Sequence, residues 1–119
     1  MPDKPLLECS FLIPLRQDRD LSDGKPHPKK AWKWLEEQLY QFGGASMAGT
    51  TFEGWYIDRD TGRRVKDTSW KYYVALAEAD VDGLRAMLRS ACEVFTQKCI
   101  YLSVAGLVEF VGRPGDESD

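Results

Sequence analysis

Trp70-Lys71-Tyr72-Tyr73-Val74-Ala75-Leu76 is the stretch that decides the fold. Aromatic and branched side chains suit a pleated, half-buried surface. With a period of two, Trp70, Tyr72, Val74 and Leu76 share one side of a strand, and Lys71, Tyr73 and Ala75 share the other. Just upstream, Asp58-Arg59-Asp60-Thr61-Gly62 has the composition of a tight turn. Before that turn, residues 46–58 read as extended, interrupted by Gly49 and Gly54. The two extended runs, 46–58 and 63–77, therefore predict a long hairpin.

Helical patterns flank this hairpin. From His27-Pro28 onward, Ala31, Leu35, Leu39 and Phe42 fall on one stripe, with Trp32 at its edge. Proline suits a first helical turn because its missing N–H has no partner there. Lys30, Lys33, Glu36, Glu37 and Tyr40 occupy the opposite face, and Gly43-Gly44 ends the helix. Downstream, Asp80 is the expected N-cap of a second helix, with Asp82 favoured by the helix dipole. Leu84, Leu88, Ala91 and Phe95 form its apolar stripe, flanked by Met87 and Cys92, and it runs out near Gln97.

Outermost come two more strands. Over residues 6–14, Cys9, Phe11 and Ile13 alternate with Glu8, Ser10 and Leu12. Over residues 100–105, Ile100, Leu102 and Val104 share a face. Gly106 marks a bend or bulge, and residues 107–111 continue the same strand or form a short fifth one. Residues 113–119 are acidic and rich in breakers, and are expected to be a disordered tail behind a single domain over residues 1–112.

The order is β-α-β-β-α-β. Right-handed crossovers place both helices on the same side of the sheet. This predicts an α+β domain with an antiparallel sheet and two helices on one face, a layout that resembles the ferredoxin-like architecture. Dimeric binding domains, small oxygenases and CRISPR-associated nucleases share that layout, so it does not define an activity.

Bulk properties narrow the classes further. A chain of 119 residues suits one hydrophobic core. A net charge of −3 counts against a broad nucleic-acid surface. The three cysteines lack CxxC spacing and there is one histidine, so no metal and no cofactor is expected. No apolar run approaches the length of a signal peptide or a membrane span, and a cytoplasmic location is expected.

Individual motifs are weak. The glycines between Gly44 and Gly49 have phosphate-loop spacing, but the next position is Thr50 where that loop needs Lys. Asp58, Asp60 and Gly62 suggest a calcium loop only faintly, since Arg63 and Ser69 stand where Gly and Glu are needed. His27, between two prolines, is expected at the surface. Arg16, Asp18, Arg19 and Asp20 follow the first strand, in a loop of the kind that often carries sites. Arg59, Arg63 and Arg64 gather at the hairpin tip.

Parity singles out the sheet face turned away from the helices. It receives Glu8, Ser10 and Leu12, Lys71, Tyr73 and Ala75, and Tyr101, Ser103 and Ala105. Trp55 and Tyr56 add aromatic area, and Arg16 stands at the rim. Such a mixed surface meets water, a second subunit or a ligand. The expected function is a self-associating domain, a homodimer, that binds a protein or small molecule through Glu8, Ser10, Arg16, Trp55, Lys71, Tyr73, Tyr101 and Ser103. A cofactor-independent enzyme with a Tyr/Glu/Lys site on this face is the alternative. A nucleic-acid-associated domain using Lys71 and the hairpin arginines is a second one.

Overall fold

The computed structural model describes residues 5–18 and 24–115. The alternation of the first strand becomes a two-faced β1 (Leu7–Pro14), in which Cys9, Phe11 and Ile13 are fully buried. On one side β1 pairs antiparallel with β4 (Arg64–Leu76), from Leu7 opposite Leu76 to Pro14 opposite Ser69. On the other side it pairs with β5 (Cys99–Val104), which in turn pairs with β6 (Leu107–Gly112). Two short strands, β2 (Ser46–Met47) and β3 (Phe52–Ile57), pair in succession along the outer edge of β4. The result is a six-stranded antiparallel sheet in the order β2/β3, β4, β1, β5, β6.

Two helices, α1 (Lys29–Gln41) and α2 (Val81–Val94), cover one face. Their stripes bury Ala31, Leu35 and Leu39, and Leu84, Leu88 and Ala91, against Cys9, Phe11, Ile13, Val74, Leu76, Ile100 and Leu102. This is the predicted α+β layout with the predicted sheet parity. Gly43 and Gly44 close α1 as expected, donating to the carbonyls of Tyr40 and Leu39. No helix among the described residues is long and apolar enough to cross a membrane.

Several details differ from the sequence expectation. The extended run before the hairpin turn is split: Ala48 still donates to the Lys71 carbonyl, and the chain then leaves β4 until Phe52. Of the two readings left open after Gly106, the separate strand is the one found, over residues 107–112, because Ala105 and Gly106 both take positive φ (49° and 90°), the two-residue turn that reverses a hairpin. Asp80 makes no side-chain cap, since it ends a 3-10 turn (Glu78–Asp80) that feeds directly into α2. His27 is buried, not at the surface: its ring packs edge-on against Trp32 and Phe95, and its Nε2–H donates to the Pro14 carbonyl at 2.7 Å. Arg19, Asp20 and the residues 116–119 of the expected tail lie outside the described residues.

Candidate functional site

The open sheet face gathers most of the polar residues named from parity. Ser10 lies between Tyr73 on β4 and Ser103 on β5, and Glu8 lies opposite Ala75. The Lys71 ammonium stands 5.3 Å from the Tyr73 ring and 5.0 Å from the Phe52 ring. Tyr101 packs edge-on against Phe110 at 5.9 Å. Trp55 is separated from this group: it pairs with Lys66, whose ammonium sits 5.7 Å from its ring, and alternation turns both away from Phe52 and Tyr56. Arg16 stands off the face in the loop after β1, where Nη1 donates to the Gly24 carbonyl at 3.3 Å.

A second and more concentrated group forms at the end of the sheet. There β4 runs on past the last residue of β1: Leu15 still donates to the Thr68 carbonyl at 2.9 Å, and among the described residues no strand pairs with that edge from Asp67 to Arg64. The β3–β4 hairpin bends across this end, and its turn meets the start of β5. Asp58 organises the turn: Oδ2 accepts from the Thr61 amide at 2.9 Å and the Thr61 hydroxyl at 2.8 Å. Its Oδ1 accepts from Lys98 Nζ at 3.3 Å, and Lys98 also pairs with Asp60. These contacts hold the Asp58 carboxyl below its ordinary range, with the Thr61 hydroxyl the largest influence.

The loop after β1 is tied to the same place. The Asp18 carboxylate accepts from the Lys98 amide at 2.8 Å, and the Asp18 amide donates to the Thr96 carbonyl at 2.8 Å. Thr96 takes φ 48°, an expensive conformation for a β-branched residue. Buried Gln97 donates to the Arg16 carbonyl at 2.8 Å.

Tyr56 and Asp67 lie within this frame, on the hairpin side that carries Phe52 and Lys71. Tyr56 is 43% exposed; burial of the remainder, reinforced by Asp67, Asp18, Cys99 and Asp58, pushes its hydroxyl up to about 12. Burial also raises the Asp67 carboxyl, with Asp18 adding to it, and raises the Cys99 thiol. Gly54 stands directly opposite Asp67, and a Cβ there would come within 2.9 Å of Oδ1. Glycine at this position is thus what lets the carboxylate lie across its partner strand.

Asp67 also lines an open concavity of about 420 Å³ with Leu15, Arg16, Glu53, Lys66 and Thr68. Its size suits a small molecule. A groove of about 430 Å³ lies between α1 and the β2–β4 edge, lined mainly by Trp32, Leu35, Leu39, Tyr40, Met47 and Tyr72. The first concavity is lined by two carboxylates, Glu53 and Asp67, and two cations, Arg16 and Lys66, while the second is mostly apolar, so chemistry points to the first. Among the described residues no group of three or more His, Cys, Asp or Glu is placed to hold a metal ion.

No protein-family model matches the chain, and no curated protein matches it in sequence. Its fold is that of a phage SAM lyase. A structure of that enzyme in complex with S-methyl-5'-thioadenosine is 16% identical, covers 98% of this chain and 97% of its own, and superposes with a TM-score of 0.70. A phage SAM lyase in its apo state is 17% identical, with 92% and 89% covered and a TM-score of 0.58. At these identities the likeness to phage SAM lyase concerns architecture.

Sequence reasoning placed Tyr56 only as added aromatic area, took Cys99 as one of three thiols without metal spacing, and passed over Asp67 and Lys98. One signal was available. Counting back from the Asp58–Gly62 turn pairs Gly54 with Asp67, so the glycine could have been read as room for a carboxylate.

Proposed function

We propose that this chain is a small ligand-binding enzyme that takes a sulfonium nucleoside of the SAM type at the Tyr56–Asp67 end of its sheet and releases S-methyl-5'-thioadenosine. The observation that carries the reading is the placement of Tyr56 and Asp67 on one side of the hairpin, with Gly54 beside them leaving room for the carboxylate, on a fold shared with a protein that holds that product. A sulfonium is a cation with a large apolar body. Aromatic rings and carboxylates are the groups that attract it.

The chemistry is compatible with those residues. When a carbon–sulfur bond of the sulfonium breaks, the bonding pair goes to sulfur, which becomes a neutral thioether. The fragment left behind completes its valence by internal attack or by losing a proton. The raised Asp67 carboxylate is suited to receive that proton, and Tyr56 to orient the nucleoside. The enzymatic alternative read from the sequence put its site at Tyr73, Tyr101, Glu8 and Lys71; the enzyme is kept here and its site lies instead at the Tyr56–Asp67 end of the sheet.

The test is calorimetric titration with S-methyl-5'-thioadenosine, and chromatography after incubation with SAM. Wild type is expected to bind and to turn over. Asp67→Asn and Tyr56→Phe are expected to weaken binding or turnover by about tenfold or more, the scale of one charge-assisted hydrogen bond. A folded wild type that neither binds the thioadenosine nor consumes SAM would end this reading.

A second reading keeps the homodimer expectation. It is favoured by β6, which leaves Val108 and Phe110 51% and 62% exposed beside Tyr101 on the open face. An apolar edge of this kind suits a second copy of the chain.

A further inference from the structure

Residue 98 is where three separate segments of the chain meet. Its backbone amide donates to Asp18 in the loop after β1. Its ammonium reaches Asp58 and Asp60 in the β3–β4 turn. Its neighbour Cys99 opens β5 on the face toward which Tyr56 turns. The groups around the site proposed above come from all three segments: Asp18 from the loop, Tyr56 and Asp67 from the hairpin, and Cys99 beside them on β5. No two of the three are adjacent in sequence.

We infer that Lys98 is a positioning residue, whose ammonium latches the hairpin turn to the start of β5 and so holds Tyr56 over the site. The inference rests on the site reading above and adds to it the element that assembles the site. The geometry of Asp58 supports it. One carboxylate oxygen is used within the turn, capping Thr61, and the other is left for Lys98. The Asp58 side chain is 8% exposed, so the pair is shielded on that side and stronger than an open surface pair. Asp60 supplies a second, exposed contact to the same ammonium. On the β1 side the Leu15 amide still donates to the Thr68 carbonyl, but among the described residues no strand pairs with β4 from Asp67 to Arg64 on that side to fix the hairpin's angle. A side-chain latch does so instead. Positioning of this kind acts on binding and rate by holding groups at the working distance.

The test compares Lys98→Met with Lys98→Arg, and adds Asp60→Asn. Amide hydrogen exchange over residues 52–67 reads the latch without any ligand. Calorimetric titration with S-methyl-5'-thioadenosine reads the site. Lys98→Met is expected to speed exchange in the hairpin by about tenfold while α1 and α2 keep their protection. It is expected to weaken thioadenosine binding by about tenfold as well. Lys98→Arg keeps the charge and is expected to restore both to near wild type, which a purely steric role would not do. Asp60→Asn removes only the exposed contact, and should shift both in the same direction by less. If Lys98→Met does not fold, the Asp60→Asn comparison decides alone. Unchanged hairpin exchange overturns the inference, and so does faster exchange with unaltered binding. If wild type does not bind the thioadenosine, the site reading fails, and the exchange data still settle whether the latch exists.

Discussion

His27 donates its Nε2–H to the Pro14 carbonyl, and its other nitrogen, Nδ1, is buried with no hydrogen-bond partner among the described residues. That arrangement requires the neutral ring, with the proton on Nε2. A second proton would put a charge and an unmet donor between Trp32 and Phe95. Burial accordingly lowers the His27 pKa, and the Pro14 hydrogen bond and Asp18 oppose it only in part. A folded-state value below the unfolded one means that the folded chain binds fewer protons. The associated stability is therefore complete above the unfolded value and drains away as pH falls through it. The urea midpoint of wild type should drop between about pH 7.5 and about pH 5, bracketing the ordinary histidine value. His27→Gln keeps a donor for Pro14 and cannot titrate, so its midpoint should be flatter over that window. Parallel profiles for the two proteins would show that His27 is not responsible. Nothing local announced this burial. The two prolines around His27 suggested exposure, and only the aromatic rings brought from α1 and the end of α2 enclose it.

Leu88 on α2 has no exposed surface, and Tyr40 on α1 is 69% exposed. Leu88→Ala should therefore destabilise by about 2–5 kcal/mol, and Tyr40→Ala by much less. Chemical denaturation distinguishes them, and equal losses would mean the stripes do not define the core. The same stripes show what was legible beforehand. Period-two and helical spacing located β1, β4, β5, α1 and α2, because each buries one continuous face against the others. Where a boundary depended on something other than its own face, the pattern failed. Gly49 lies in the gap between β2 and β3, but Gly54, the same signal, lies inside β3, so glycine alone did not locate the break. Asp80 has the composition of a cap, and a 3-10 turn makes that role redundant. The Tyr56–Asp67 group was least visible of all. It exists because the hairpin crosses the end of the sheet, and the contact between Asp58 and Lys98 that marks this crossing joins residues 40 apart in sequence.

Across the whole molecule, the open face carries the question of assembly. Tyr73 and Tyr101 are half-buried there in the single chain, and Phe110 and Val108 extend the apolar area to the β6 edge. If a second copy covers this face, a carboxylate at its centre meets its own image and loses its water. Tyr73→Glu should then convert the assembly to monomer in sedimentation velocity, with circular dichroism unchanged. Lys30→Glu, on the exposed face of α1, should leave the assembly as it is. A wild type that already sediments as a monomer at high concentration would remove the dimer.

The sheet order has a consequence for how the chain comes off the ribosome. β1 is the earliest strand and the central one, and its two neighbours, β4 and β5, lie far downstream. A strand carrying Cys9, Phe11 and Ile13 is thus synthesised long before either partner exists to hydrogen-bond with it. Pairing on its second side waits for Leu102 and Val104. Domains generally fold as units once their parts are available, and here the part that completes the unit emerges close to last. A nascent chain stalled before β5 carries its own core strand with one edge bare, in the state most open to chaperones and to mispairing with other chains.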